Sequence, residues 1–406
     1  MNNKSELSQN WILLLAASIG IICSSIVLPF YSLGALVVPI TSEFGWGRAE
    51  FQLVLLFSTG AGVVTSPLVG WLLERLGVRR VALSGLAGLS IALVIASQNQ
   101  GQLWLFYVAY TLMAILGAGT IPVTWTRAVN AQFTKQRGLA LGIMLSGTGI
   151  CAIIIPQFTV YLIETFSWRI AYIGLATLPL LVAFPLVYLF FHPQPITADT
   201  EQNNTNLSGF SVDQALRGYR FWVLLLSIFL VYIVMSGILP NLIPALTDQG
   251  IDAQLAATAI SVLGVSVIAG RLVVGYLVDY YWAPGVAAIA IFLAAIGAII
   301  LIGEPTFVLA CVAAACLGFA AGAELDLMSF LAAKYFGMLN YAKIYSLLYA
   351  ALALASGIAP SLFAYIFDQS GSYYLGFVGG SVCFVLSCLL LLTLGRYPKT
   401  FAPNPK

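Results

Sequence analysis

The sequence predicts an all-α membrane protein: twelve transmembrane helices in two pseudo-symmetric six-helix bundles, with both termini cytoplasmic (N-in/C-in). Three observations predict it. Hydrophobic residues make up 61% of the 406 positions and charged residues 8%, with a mean hydropathy of +0.98. A soluble domain carries about 25% charged residues, so this surface must face lipid. The apolar residues fall into twelve runs near the ~20-residue length that crosses a hydrocarbon core, and the second half of the chain echoes the first at a nearly constant offset.

In order, the runs are Trp11–Ile40, Glu50–Leu73, Val81–Ser97, Leu103–Phe133, Gly138–Thr165, Ala171–Phe191, Phe221–Leu246, Ala253–Tyr276, Ala283–Leu301, Thr306–Tyr335, Ile344–Phe367 and Tyr374–Leu394. None alternates with period two, which argues against a β-barrel. Met1–Asn10 is polar and lacks a small-residue cleavage site, and the run behind it exceeds a signal-peptide core. The first run is therefore read as a retained helix. Basic residues set the orientation. Lys4, Arg75, Arg79, Arg80, Lys135, Arg137, Arg217, Arg220, Lys334, Lys343, Arg396, Lys399 and Lys406 fall on one side, and only Arg48 and Arg169 on the other.

The one long connection, His192–Arg220, is rich in Asn, Thr, Ser, Gln and Pro, the composition of a flexible linker. It divides the chain into residues 1–191, a cytoplasmic linker 192–220, and residues 221–406. Near its end, Ser211 is placed to cap a short surface helix. The glycosylation patterns at Asn203 and Asn206 lie on the cytoplasmic side and are chance matches.

Composition excludes several function classes. A net charge of +2 supplies no basic patch for nucleic acid. Cys23, Cys151, Cys311, Cys316, Cys383 and Cys388 sit within apolar runs as small hydrophobes, with neither a disulfide framework nor metal-ligand spacing. His192 is the sole histidine, and no phosphate-binding loop is present. No cofactor, no metal and no enzymatic activity are expected.

The repeat is traced by four fragments. Pro39-Ile-Thr-Ser-Glu43-Phe-Gly45 falls on Pro244-Ala-Leu-Thr-Asp248-Gln-Gly250, and Gly70-Trp-Leu-Leu-Glu74 on Gly275-Tyr-Leu-Val-Asp279. Ala131-Gln-Phe133 falls on Lys334-Tyr-Phe336, and Pro156 on Pro360. Transporters built from parallel repeats hold their substrate near the bilayer midplane between the halves.

Gly70-Trp-Leu-Leu-Glu74-Arg75-Leu-Gly77-Val-Arg79-Arg80 resembles the loop between helices two and three of the major facilitator superfamily. The resemblance implies a cytoplasmic gating motif at Gly70, Glu74, Arg75, Gly77, Arg79 and Arg80, with a second copy at Gly275 and Asp279. That copy has Tyr280 and Tyr281 where basic residues are usual, which implies a weaker gate. Three fragments are similar to the monocarboxylate and oxalate/formate porters: Tyr31-Ser-Leu-Gly34 followed by Glu43-Phe-Gly-Trp46-Gly-Arg48-Ala-Glu50, Gln136-Arg137-Gly-Leu-Ala-Leu-Gly142, and Gly270-Arg271-Leu-Val-Val-Gly275. The family's substrate-anion arginine in helix eight matches Arg271. Val267 stands where some members have an aspartate, and Ile344–Phe367 carries no lysine, so substrate identity does not carry over.

Four ionisable residues are committed to the hydrocarbon: Arg127, Arg271, Glu324 and Asp326. A charge at the helix centre costs at least about 2.5 kcal/mol, which marks them as functional candidates. The competing structural roles are snorkelling or pairing with Asp279 for Arg271, and an inter-helix salt bridge to Glu324 or Asp326 for Arg127. The two arginines come from opposite halves at similar depth, an arrangement that suits a carboxylate held bidentately between them. Glu324 and Asp326 lie about 200° apart around one helix. The repeat aligns Arg127 with Phe330, one turn from Asp326, so Asp326 is expected to face Arg127 and Glu324 to pair with Arg271. Asp326 is then the expected proton carrier: substrate displaces it from arginine, and it takes up a proton. Glu324 is the runner-up.

Tyr31, Ser32, Asn130, Gln157, Asn241, Tyr345 and Tyr349 are candidates to hydrogen-bond a substrate, against commoner interfacial and packing roles. Gly117-Ala-Gly119 and Gly147-Thr-Gly149 are expected to permit close helix packing. Pro39, Pro122, Pro156, Pro240, Pro244 and Pro360 are expected to kink helices. The leading expectation is a monomeric secondary transporter of a small organic anion with proton symport, in a cell membrane of the bacterial inner-membrane type. The alternative is an exporter or antiporter of amphipathic compounds. A membrane-embedded enzyme or receptor lacks both a catalytic constellation and a sizeable extramembrane domain.

Overall fold

The computed structural model describes residues 6–133, 137–191, 209–337 and 339–398. His192, Asn203, Asn206, Lys4, Lys135, Lys399 and Lys406 lie outside the described residues.

The first part of the chain is built of α1 (Glu6–Ile22), α2 (Val27–Phe44), α3 (Arg48–Gln52), α4 (Val54–Leu76), α5 (Val78–Ser97), α6 (Leu103–Leu116), α7 (Pro122–Gln132), α8 (Arg137–Leu145), α9 (Gly147–Thr165), α10 (Trp168–Thr177) and α11 (Phe184–Phe190). After a short α12 (Val212–Arg217) come α13 (Tyr219–Asp248), α14 (Ala253–Tyr280), α15 (Ala283–Ile302), α16 (Phe307–Phe336), α17 (Tyr341–Ser370) and α18 (Tyr374–Leu392). Among the described residues, ten helical stretches are long and apolar enough to cross a membrane. A bent pair, Leu103–Leu116 with Ala118–Val129, makes eleven.

The two parts build their spans differently. α13, α14, α16 and α17 each run unbroken for 28 to 30 residues, whereas the first span breaks between α1 and α2 and the fourth bends by 53° between α6 and α7. These breaks meet. The Ser25 N–H donates to Thr120 Oγ1 at 2.9 Å, and that hydroxyl donates to the Gly117 carbonyl at 2.7 Å. A side chain thereby satisfies backbone groups freed inside the membrane. Pro122 departs from expectation. It sits in the first turn of α7, where its missing N–H costs nothing, while Pro39, Pro156, Pro240, Pro244 and Pro360 lie inside helices. The cap at Ser211 forms as expected: its Oγ accepts from the Gln214 N–H, and the Gln214 side chain accepts from the Ser211 N–H.

Glycines set the closest helix contacts. A Cβ at Gly119 would stand 2.0 Å from the Val81 carbonyl, the close packing expected of the Gly117-Ala-Gly119 run. On the interface of α14 and α16, a Cβ at Gly270 would lie 2.0 Å from the Phe319 carbonyl, and one at Gly322 equally close to the Val267 carbonyl. Between α9 and α14, a Cβ at Gly149 would meet the Gly264 carbonyl at 2.8 Å. The first of these contacts belonging to α14 lies directly beside Arg271.

Candidate functional site

The end of the bundle that carries Arg48 and Arg169 is called outer here, following the asymmetry of basic residues, and the opposite end inner. Residues of the first part (up to α11) and the second part (from α13) are joined by hydrogen bonds at the outer end. Arg48, at the start of α3, grips Asp248 at the end of α13 with both guanidinium nitrogens, at 2.5 and 2.8 Å. Its guanidinium lies 3.9 Å from the ring centroid of Phe367 and donates to the Tyr373 hydroxyl. The N–H groups of Arg48 and Ala49 donate to the Asp368 carboxylate, so an acid from α17 caps the first turn of α3. One layer deeper, Gln52 and Asn241 exchange amide hydrogen bonds at 2.6 and 3.2 Å, and the Tyr373 hydroxyl donates to Asn241. Deeper still, Gln157 donates to Thr258, and Ser261 to the Ile153 carbonyl. The two acids that the repeat superimposes, Glu43 and Asp248, take the two outer arginines: Glu43 binds Arg169 at 2.8 Å, and Asp248 binds Arg48.

Asn241, a candidate for the substrate, belongs to this seal. It is fully buried, and its amide also donates to the carbonyls of Gly237 and Pro360. Its hydrogen-bonding capacity is spent within the protein in this conformation.

Inward of the seal the charges gather in a different pairing from the one expected. Arg271 Nε stands 3.3 Å from the Asp326 carboxylate. The expected partners, Arg127 with Asp326 and Glu324 with Arg271, do not pair. The physical reason is local. The glycine contacts bring α14 against α16 at the level of these residues, so the arginine and acid of one half meet before either reaches across. Arg127 sits part-buried on α7 and forms no ion pair among the described residues, and the side chain of Asn130 is outside the described set. Asp279, the other competing partner of Arg271, lines the cavity below it without pairing.

Arg271 is 9% exposed, and its Nη1 is buried with no hydrogen-bond partner. Glu324 is in a similar condition: the Tyr232 hydroxyl stands against its carboxylate, yet Oε1 is buried and unpartnered. Tyr31 reaches across from α2 to within electrostatic range of both Arg271 and Glu324. Tyr345 neighbours Asp326, and Tyr349 neighbours Tyr232. Tyr31, Tyr345, Tyr349, Arg271, Glu324 and Asp326 are thus brought together, and Arg127 and Asn241 are not. The sequence reading missed Tyr232, one of many aromatics in an apolar run. It missed Gln52 as well, although a lone amide in such a run is a visible signal.

Next to Asp326 a cavity of about 440 Å³ extends toward the inner end, walled by Val274, Val278, Leu327, Phe330 and Tyr341 and by the backbone of Gly275. At the outer side of Tyr31 only about 10 Å³ remains between the two parts, bounded by Gly34, Leu239 and Ile243. The space outward of Tyr31 is therefore closed, while the cavity beside Asp326 is formed by α14, α16 and α17.

Arg75 and Arg79 of the expected gating motif make contacts within the first part of the chain. Arg75 lies over the Trp71 ring at 4.2 Å, and Arg79 lies over Tyr188 and donates to its carbonyl. Arg80 is exposed, and space is open around Gly70 and Gly275. Gly77, at φ 80°, turns the chain from α4 into α5. The Glu74 side chain is outside the described set.

Comparison with known proteins agrees with this geometry. A family model described as the Major Facilitator Superfamily matches residues 11–285 and 224–406. The MFS-type transporter YhjX of Escherichia coli is 25% identical over 308 residues, 74% of this chain and 75% of that one. Human monocarboxylate transporter 11 is 23% identical over 368 residues, 86% of this chain and 75% of that one. The solved structure of a bacterial homologue of the human lysosomal transporter Spinster, inward-facing and occupied, superposes with a TM-score of 0.67 over 97% of this chain and 96% of that one. At 16% identity it speaks to the fold alone. With the first and second parts joined by hydrogen bonds at one end, and with the family match running the length of the chain, this protein belongs to the major facilitator superfamily: it is a multi-pass membrane protein and a secondary transporter working by alternating access.

Proposed function

We propose that this protein carries a small organic anion, a carboxylate, coupled to a proton, and that Arg271 is the anion's anchor. One observation carries the reading: a guanidinium nearly enclosed by protein, with a nitrogen lacking any partner, whose counter-ion Asp326 lines a cavity of about 440 Å³. A buried donor left unsatisfied costs about 1–3 kcal/mol, more when charged, and a carboxylate supplies what it lacks. The similarity to monocarboxylate transporter 11 supports the same substrate class.

The Arg271–Asp326 pair supplies the coupling. A substrate carboxylate that takes over the guanidinium leaves Asp326 without its counter-charge, and Asp326 then takes up a proton. Net charge in the site is preserved, so the loaded carrier reorients without dragging an uncompensated charge through the hydrocarbon. The empty carrier returns once Asp326 has released its proton and re-paired with Arg271. Glu324, held by Tyr232 and facing Tyr31, is the second candidate for that proton. Arg127 is proposed to meet the substrate's far side only when the two parts close at the inner end.

The same reading takes residues 1–191 and 221–406 as six-helix bundles joined by the linker 192–220. α4 supplies the second of twelve spans, both termini are cytoplasmic, and the working unit is a monomer in a bacterial inner membrane. The test is uptake into proteoliposomes of a panel of mono- and dicarboxylates, with and without an imposed pH gradient. Accumulation of at least one carboxylate that rises with inward proton flow is expected. Uptake of amphipathic cations with no response to carboxylates would favour the exporter reading instead.

A further inference from the structure

The wall that leads from the cavity to the charged site is an aromatic ladder. Tyr341, Tyr345 and Tyr349 recur at every fourth residue of α17, the spacing that places side chains on one helix face. Their rings stack at 5.5 and 6.4 Å between centroids, with interplanar angles of 24° and 27°. Eight residues of helix cover about 12 Å, so the ladder runs from the cavity, which Tyr341 lines, past Asp326, which Tyr345 neighbours, to Tyr349 beside Tyr232, the residue that stands against Glu324. Tyr349 is 42% exposed although Tyr232 is its neighbour. Part of its surface is therefore free of protein. Phe330, on α16, adds a ring to the cavity lining.

A short aliphatic acid needs none of this. Lactate-sized anions fill a fraction of a cavity of about 440 Å³, and their hydroxyl and methyl groups gain nothing specific from stacked rings. A flat aromatic ring gains an offset-stacked or edge-to-face partner. Resting on the reading that Arg271 binds a carboxylate, we propose that the substrate is an aryl carboxylate, with its carboxylate on Arg271 and its ring against the Tyr345–Tyr349 face of α17. Tyr345 and Tyr349 are then specificity-determining residues that act through their rings and not only through their hydroxyls.

The experiment measures binding of benzoate, cyclohexanecarboxylate and acetate to the purified full-length protein in detergent by titration calorimetry. Benzoate and cyclohexanecarboxylate are close in size and charge and differ in the π face. The expected result is that benzoate binds about two- to twelvefold more tightly than cyclohexanecarboxylate, the ratio that ring–ring contact contributes beyond burial. Tyr349→Leu should abolish this preference and Tyr349→Phe should keep it, which separates the ring face from the hydroxyl. Cyclohexanecarboxylate or acetate binding as tightly as benzoate would overturn the aryl assignment while leaving the anion site standing. Binding of none of the three by folded protein would overturn the anion reading and the aryl assignment with it.

Discussion

Removing Arg48 should spring the outer seal. The guanidinium grips Asp248 bidentately at 2.5 and 2.8 Å, and the side chains are 13% and 32% exposed. Breaking a fully buried pair costs about 3–5 kcal/mol, and an exposed one contributes about 0–1 kcal/mol. With Asp248 a third exposed, about 2 kcal/mol is the appropriate middle value. The contact with the Phe367 ring adds about 0.5–1 kcal/mol. All of these contacts join the first part of the chain to the second, so they exist only while the outer end is closed. Arg48→Ala therefore shifts the closed-to-open ratio by about 2–3 kcal/mol, or about 30- to 150-fold. The assay is alkylation by a membrane-impermeant maleimide of Ile243→Cys, in a background whose six native cysteines are alanine. Ile243 is 5% exposed and borders the closed space at Tyr31 and Gly34, so it reacts only from the outward-open state. Asp248→Asn should raise the rate in the same direction and by less, because a neutral amide still accepts one hydrogen bond. An alkylation rate within twofold of the parent in both variants would refute the lock.

Arg271→Lys keeps the charge and loses the planar fork; carboxylate affinity should fall at least about tenfold, and an unchanged affinity in calorimetry would remove Arg271 from the site. Asp326→Asn should lose accumulation driven by a pH gradient and retain counterflow exchange. If Glu324→Gln instead shows that separation and Asp326→Asn does not, Glu324 is the proton carrier. Gly322→Ala places a Cβ 2.0 Å from the Val267 carbonyl and 3.0 Å from the Arg271 backbone nitrogen. Parting α14 from α16 in this way should cost about 1–3 kcal/mol, visible as a lower melting temperature in detergent together with impaired transport. For orientation, Asp368→Cys should react with impermeant reagent on intact cells and Lys399→Cys only after permeabilisation; labelling of both from one side would overturn the N-in/C-in assignment.

The positions of the helices follow from hydropathy because each spanning segment must satisfy its backbone internally, a demand any chain states in its own composition. The C-terminal spans, the Ser211 cap and the close-packing glycines were legible for that reason. The breaks at Ser25 and Thr120 were not, since each is stabilised by a partner about 95 residues away in sequence.

The site divides in the same way. That Arg271, Glu324 and Asp326 are candidates was readable from the cost of placing charge in hydrocarbon, and Tyr31, Tyr345 and Tyr349 stood among the residues expected to hydrogen-bond a substrate. Which charge meets which was not, because pairing depends on how closely two helix axes approach. Gly270 and Gly322 bring α14 and α16 together, and this puts Asp326 on Arg271 instead of Arg127. The outer seal is wholly a tertiary outcome. Arg48, Asp248, Asp368 and Tyr373 sit at the ends of helices from both parts, where composition reads only as solvated polar residues. They become a lock only when alternating access has closed that end.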